Sequence, residues 1–400
     1  MAHALRRSDV SVDLYEQAAG PRSTGYQLNV LANGKYALER IGLLDALQRS
    51  GHGTPVRWGS LVDGLTGDVV LRGAFRERGA YSATSFHRGD LHRALLRGLE
   101  GPPPSYDTRI DSISDDSNDS QVQVRFSDGV VRAFDVVVAA DGAHSTIRQQ
   151  LFPTHRGFVP RFDALLFAAA IDLAGHRAGD RRFAKQVEAG EFDQINAPGT
   201  AVVLSGAGGG RFGVIVCFDP RHTPSSVASA DEAKALARRL TADINDPRVE
   251  RAVDAAFWEP GNPFVWHIGD IDPLPAYHVG RVALAGDAAH AMMPMLGQGA
   301  NQAFEDAMIL ARVLRSAVAA RGTTTSYVAA ALQAYSAERR PRAEYFQRRA
   351  RNVARVLIAP NRLAHRLMLF VARLMPRRPL EDDEVLRYLL ADEAAGLTSV

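Results

Sequence analysis

The stretch Gly280–Ala307, GRVALAGDAAHAMMPMLGQGANQAFEDA, decides how the rest of the chain is read. Its apolar run, Val282 to Ala285, has the length and bounding of a buried strand. Gly286-Asp287 falls where that strand ends, Pro294, Gly297 and Gly299 follow, and a helical pattern runs from Asn301 onward. A carboxylate at the carboxyl end of a strand, beside a Gly-rich entry to a helix, is what a bound cofactor needs. The glycines let the backbone approach closely, and the helix N-terminus favours negative charge. An ordinary strand-loop-helix connection is the alternative reading of the same residues.

A second junction of this kind lies upstream. Asp135 to Gly142, DVVVAADG, is an apolar strand ending in Asp141-Gly142, and it leads through Ala143-His144-Ser145 into a helix with Arg148 in its first turn. The two carboxylates, Asp141 and Asp287, are either independent helix caps or parts of one site. At the start of the chain, Ala2 to Arg7 reads as the tail of a helix and Val10 to Tyr15 as a strand ending in Glu16-Gln17. A strand ending in an acidic residue is the second strand of a dinucleotide-binding unit, where the carboxylate holds a ribose hydroxyl pair. A solvated strand end is the other reading of Glu16. The Gly-x-Gly-x-x-Gly loop expected before that helix is not in this sequence.

Between the junctions the pattern alternates. An irregular segment, Gly25 to Asn33, precedes a helix expected from about Gly34 to Leu47 and ending near Gly51. Val56 to Leu71 reads as a hairpin turning at Asp63-Gly64 or Thr66-Gly67. Phe86-His87-Arg88 leads into a helix, Gly89 to Leu99, with Leu91, Leu95 and Leu99 on its inner face. A cation at a helix start is usually disfavoured, so Arg88 favours an anionic partner over a decorative surface charge. After Pro102 to Pro104, strands are expected at Asp107–Ser114, Val122–Phe126 and Val130–Ala139, with Ser127-Asp128-Gly129 as a turn.

From Phe162 to Phe218 the texture is β-rich, with strands at Phe162–Leu173, Ala201–Ser205 and Phe212–Phe218. The Gly206–Gly210 run resembles a phosphate loop, but a strand follows it instead of a helix, which makes it a hairpin turn. A polar helix, Ser229 to Leu240, and a strand around Phe264 to His267 complete this region. Trp258, Phe264 and Trp266 either line a substrate pocket or pack in the core. From Ser326 the tail is helical and Arg-rich, with Tyr335, Tyr345 and Phe346 as packing residues. Leu363 to Met375 is amphipathic and suits a cover for the main body or a partner subunit, with a membrane-surface role as a third reading.

Composition excludes several classes. A net charge of +2 on 400 residues, with no dense basic run, argues against nucleic acid. Lys35, Lys185 and Lys234 are the only lysines, so arginine carries the positive charge. A single cysteine, Cys217, excludes an intrachain disulfide and a CxxC redox pair. Redox chemistry would then require a bound cofactor. No apolar segment reaches membrane-spanning length and the N-terminus lacks a signal-peptide core, which gives a cytoplasmic expectation. No metal-ligand spacing is visible.

These motifs together resemble the FAD-dependent aromatic hydroxylases, the single-component flavoprotein monooxygenases similar to p-hydroxybenzoate and salicylate hydroxylases, over nearly the whole chain. The resemblance implies an α/β fold: a Rossmann-like FAD-binding domain at 1–160 and 270–325, an inserted β-rich substrate domain at 161–269 and a helical C-terminal segment at 326–400. It implies that Asp141 and Gly142 touch flavin and accompany NAD(P)H use. Asp287, Pro294, Gly297, Gly299, Ala300 and Asn301 would hold the ribityl chain and flavin ring, Glu16 the adenosine ribose, and Arg88 the phosphate-ribityl region. FAD, reduced by NAD(P)H, would take up O2 as a flavin C4a-hydroperoxide and hydroxylate an electron-rich aromatic molecule. His290 is either a base or a hydrogen-bonded structural residue, and no catalytic side chain is assigned. The departure from the family is the missing glycine fingerprint, from which a native start about twenty residues earlier is expected. Two other readings are a flavoprotein that binds FAD or ligand without oxygenase activity and a nicotinamide dehydrogenase. The latter leaves Asp287 without a role.

Overall fold

The structure is a computed structural model, and it describes residues 1–6, 10–21, 26–115, 121–169, 171, 180–208, 211–219, 227–258, 264–319, 325–375, 381 and 383–394. Its organising element is a parallel pair. The strand Val282–Leu284 lies beside Val137–Ala139, with Val282 opposite Val137 and Leu284 opposite Ala139. His278–Val279 closes this three-stranded sheet on the other side. Every residue of the central strand is buried, which is why it reads as a continuous apolar run rather than an alternating one. Because the two strands run the same way, both Asp-Gly and Gly-Asp junctions leave the sheet at the same end. Ligands of open parallel sheets bind outside the carboxyl ends of the strands.

Behind this sheet the helices Gly299–Ala319 and Thr325–Leu357 pack together, with Ile309, Leu310, Leu332 and Tyr335 in one core with Val282 and Leu284. Ala4 and Leu5 of the short helix Ala2–Arg6 join that core.

The second body is an eight-stranded sheet. Its centre is antiparallel: Phe158–Ala169 pairs with Val265–Ile271 on one side and Arg211–Phe218 on the other, followed by Thr200–Gly208 and Glu191–Ala197. Alternation along these strands gives the sheet two different faces. Leu165, Phe167, Val202, Leu204, Val214 and Phe218 point to one side, against Phe183, Leu236, Val249 and Val253 of the covering helices. Ala164, Leu166, Ala201 and Cys217 point to the other, toward Met293, Met295, Leu296 and Tyr26. That second face, with its small side chains, looks onto the Gly280–Ala307 region.

Most expected elements are present, with informative differences. Val10 to Tyr15 is extended, yet it makes only an isolated parallel bridge, Tyr15 to Ser105, instead of a ladder. The 25–33 segment is more regular than expected, since Gln27–Val30 is a strand paired with Thr84–His87; Gly25 lies outside the described residues. The expected helix from Gly34 to Leu47 is two helices, Ala32–Arg40 and Leu44–Arg49. Gly42, at φ +77°, breaks them because that conformation cannot continue a right-handed helix. Val130 to Ala139 also divides: Val131–Phe134 pairs with Val122–Phe126, whereas Val137–Ala139 belongs to the parallel pair.

The hairpin Trp58–Asp63 and Val69–Ala74, expected within the 1–160 part, is hydrogen-bonded into the large sheet through parallel pairing with Glu191–Ala197. The turn expected at Gly206–Gly210 falls partly on 209–210, outside the described residues, but the flanking strands are antiparallel with Gly208 opposite Arg211. In the tail, Tyr335 and Phe346 are buried as expected, while Tyr345 is exposed.

Candidate functional site

The two junctions are joined by one side chain. The Thr146–Leu151 helix is capped by Ser145, whose Oγ accepts from the Arg148 N–H at 2.9 Å, and Asp141 Oδ2 accepts from Ile147 N–H at 3.2 Å. This fixes the buried Arg148 guanidinium, which donates to Ala143 O at 2.6 Å, Ala288 O at 3.0 Å and Asp287 O at 3.4 Å. Burial pushes the Arg148 guanidinium down, against the opposing pull of Asp141 and Asp287. Asp141 therefore caps its helix, and Arg148 is what links its junction to that of Asp287.

Gly286 sits at φ +59° and donates to Asp306 Oδ2 at 2.8 Å, which turns the chain so that Asp287 opens the one-turn helix Asp287–His290. The Asp287 side chain is solvent-accessible, and its carboxylate accepts no hydrogen bond among the described residues. It nevertheless lies in an enclosed place: burial raises its carboxyl, while His290, Arg88 and Arg148 pull the other way. An accessible acid surrounded by protein lines a cleft. Arg88, the first residue of the helix Arg88–Arg97, is brought to the same cleft, with its N–H donating to Tyr26 O at 2.9 Å. The Tyr26 phenol is raised by burial and by Asp287, and lowered by Arg88.

A further wall of the cleft is the entry to Gly299–Ala319. Pro294 is exposed at the head of the turn Pro294–Leu296, and Gly297 adopts the left-handed conformation at φ +61°. The first-turn N–H groups of Gly299, Ala300 and Asn301 have no intrahelical acceptor. A Cβ at Gly297 or Gly142 would meet nothing within 4 Å, and one at Gly299 would come no closer than 4.0 Å to Asp287 Oδ1.

The Asn301 side chain has a different job from its N–H group. Its Oδ1 accepts from Leu31 N–H at 2.9 Å, and its Nδ2 donates to Asn29 O at 3.0 Å and Gly297 O at 2.7 Å. It thereby ties the loop to the Gln27–Val30 strand. Gly34 is required there, because a Cβ would lie 2.0 Å from Asn301 Oδ1.

Beneath this floor lies a buried ionic network that sequence reading did not find. Asp306 Oδ2 receives both the Gly286 N–H and His290 Nε2, the latter at 2.6 Å. Arg339 donates to Asp306 Oδ1 at 2.8 Å and to Glu305 Oε2 at 2.5 Å, and Arg342 reaches Glu305 at 2.6 Å and 2.7 Å. All five ionisable side chains are essentially inaccessible. Although burial pushes the Asp306 carboxyl up, His290 and Arg339 hold it well below the usual range. His290 is thus a hydrogen-bonded structural residue. The available signal was the Glu305-Asp306 pair on one helix and Arg339-x-x-Arg342, one turn apart, on the next.

The remaining candidates resolve differently. Trp258 and Phe264 pack behind the large sheet, with Trp258 4.9 Å from Phe167. Trp266 lies on the face toward the cleft, with its ring edge-on to Tyr26 at 6.2 Å. Glu16 stands apart from the cleft residues in its contacts. Its Oε1 accepts from Ala18 N–H at 2.8 Å, and its backbone is held by Ser105 and Thr108.

The cleft residues fit the group that the motifs imply. An accessible carboxylate suits ribityl hydroxyls, Arg88 suits a phosphate, open glycine backbone permits close approach of a flat ring, and a helix N-terminus favours negative charge on it.

Comparison with known proteins agrees. The family model described as FAD binding domain matches residues 38–350. The chain is 30% identical to the 3-amino-4-hydroxybenzoate 2-monooxygenase of Streptomyces platensis over 88% of this chain and 83% of that protein. It is 29% identical to the 6-hydroxynicotinate 3-monooxygenase of Pseudomonas fluorescens, over 87% of this chain and 86% of the other. Among solved structures, Klebsiella pneumoniae HpxO complexed with FAD and uric acid aligns with a TM-score of 0.75 at 25% identity, covering 98% of this chain and 92% of that one.

Proposed function

We propose, from the premise that this chain belongs to the FAD-binding-domain family and is a flavin-dependent aromatic monooxygenase, that it hydroxylates a planar, electron-rich aromatic or heteroaromatic ring held against the apolar face of the large sheet. The observation that carries this reading is the meeting of three walls. Asp287 and the Arg148-linked junction form the first, the Gly297–Asn301 helix entry the second, and the small-residue sheet face with Trp266 and Tyr26 the third.

FAD reduced by NAD(P)H supplies the dioxygen activation and the transfer of one oxygen atom, with the other leaving as water. The chain's residues do the positioning. Asp287 accepts from ribityl hydroxyls, and Arg88 neutralises the phosphate-ribityl region. Asp141 and Gly142 line the edge shared with the nicotinamide donor. Gly299, Ala300 and Asn301 would present their backbone N–H groups to negative charge on the ring, while the Gly297 N–H closes the turn onto Pro294 O and its lack of a side chain leaves the approach open. Pro294, exposed at the head of its turn, would border the flavin ring where oxygen reacts. The sheet face that carries Ala164, Ala201 and Cys217 packs toward the Met293–Leu296 turn, and we assign the substrate to the side of that turn where Trp266 and Tyr26 meet edge-on. Glu16 is assigned to the adenosine ribose.

The relatives' names support the substrate class, since 3-amino-4-hydroxybenzoate and 6-hydroxynicotinate are both rings bearing electron-donating groups. We assign 1–160 and 270–325 to the FAD-binding part, except that the hairpin 58–74 goes with 161–269 on the substrate side. Residues 326–400 form the helical segment. No helix among the described residues is long and apolar enough to cross a membrane, and we place the protein in the cytoplasm.

The test is a panel of hydroxylated and aminated benzoates, pyridines and purines. The expected result is that at least one accelerates NAD(P)H oxidation by the FAD-loaded protein and gains a single oxygen by mass. Acceleration by none of them, with FAD bound, would instead support a flavoprotein without oxygenase activity.

A further inference from the structure

We propose that the outward face of the helix Arg362–Leu374 docks on an anionic lipid surface, so that the enzyme associates peripherally with membranes. The helix is fixed to the body by one face only. His365, Met368, Leu369 and Ala372 are buried, and His365 Nε2 lies 3.0 Å from Asp63 Oδ1 at the end of a large-sheet strand. Its start is capped by Asn361, whose Oδ1 accepts from Ala364 N–H at 2.9 Å.

With 3.6 residues per turn, Leu363, Leu367, Phe370, Val371 and Leu374 fall on the side opposite the buried face. Their exposure runs from 49% to 79%, and Met375 just beyond the helix is 55% exposed. Single exposed leucines need no explanation, but a continuous stripe of this size marks an interaction surface.

The chemistry along its border selects the occupant. Arg362, Arg366 and Arg373 occupy the sector between the buried face and the apolar stripe, all are exposed, and none has an ion-pair partner among the described residues. From Tyr345 to Leu380 the sequence contains nine arginines and no aspartate or glutamate. An outward apolar stripe edged by exposed guanidiniums is suited to the boundary between acyl chains and anionic headgroups. The apolar side chains enter that boundary while the arginines reach phosphates. A second copy of the chain is a poorer occupant, because a two-fold contact would set the same acid-free, arginine-edged face against itself.

Flotation of the full-length, FAD-loaded protein with phosphatidylcholine vesicles, with and without phosphatidylglycerol, tests this. The wild type is expected to float with the anionic vesicles, less so at high salt, and to stay in solution with the neutral ones. Phe370→Asp and Leu367→Asp should abolish flotation without lowering Tm, since both side chains are exposed. Replacing Arg362, Arg366 and Arg373 together by Gln should weaken binding on the order of a hundredfold, at roughly fivefold per basic side chain near an anionic surface.

Four outcomes would overturn the proposal. One is no flotation with anionic vesicles, and another is equal flotation with neutral ones. A fall in Tm for Leu367→Asp would mean that the chain's own residues cover the face. A solution dimer dissociated by Phe370→Asp, without vesicle binding, would assign the face to a second copy.

Discussion

We propose Asp287 as the residue on which cofactor binding turns. Its carboxylate is accessible and accepts no hydrogen bond among the described residues, and a hydrogen bond to a charged acceptor contributes about 1.5–3 kcal/mol. Asp287→Asn is therefore expected to weaken FAD binding roughly tenfold to a hundredfold, measured by fluorescence titration of FAD into the apoprotein. Unchanged affinity would remove Asp287 from the site. Gly34 makes a prediction of another kind. Gly34→Ala puts a methyl group where Asn301 Oδ1 lies, so it should cost about 1–3 kcal/mol in denaturant unfolding. Asn301→Ala in the same chain should recover part of that loss, and strict additivity of the two would contradict the contact. Gly286 and Asp287 were readable from sequence because a glycine-acid pair after an apolar strand has few structural alternatives. The double duty of Asn301 was not readable, because its partners, Leu31 and Asn29, are some 270 positions away in sequence.

At the scale of elements, the floor of the site is an ionic layer between the helices Gly299–Ala319 and Thr325–Leu357. Removing one member of a buried pair strands the other charge, so Arg339→Met should destabilise the fold by about 3–5 kcal/mol. The Asp306 and Glu305 carboxyls are both held below their usual range in the folded state, against burial that pushes them up. A depressed folded value means that this stabilisation is fully present above the unfolded carboxylate range, about pH 4, and is lost as pH falls below it. Thermal unfolding followed from pH 7 down to pH 3 should show that loss, and Asp306→Asn should flatten the acid limb while lowering stability at neutral pH. An acid limb of the same slope in Asp306→Asn would show that the group is not paired as described.

Helices and strands with strong periodicity were legible in the sequence, including Val122–Phe126 and the helix after Arg88. The breaks were not. Gly42 ends a helix through its positive φ, and the 130–139 segment changes sheets at a bend that carries no glycine or proline.

At the scale of the whole molecule, the division into a cofactor part, a substrate part and a helical tail is our proposal, and strand pairing across the large sheet bears on where its edges fall. The large sheet turns the face carrying Ala164, Leu166, Ala201 and Cys217 toward Met293 and Leu296, a relation that depends on strand register and could not be read from any one strand. The hairpin 58–74 was misassigned for the same reason, since its parallel partner Glu191–Ala197 lies more than a hundred residues away. The site we propose exists in the folded chain only, so saturating FAD should raise Tm, with about 2.7 kcal/mol of added stability at a hundredfold excess over Kd. A Tm unmoved by FAD would contradict the assembled cleft.

The most direct test of the central claim follows the oxygen. The FAD-loaded protein would be supplied with NAD(P)H, isotopically heavy dioxygen and a ring substrate from the panel. One heavy oxygen atom in the hydroxylated product is the expected result. Product oxygen drawn from water would contradict the account.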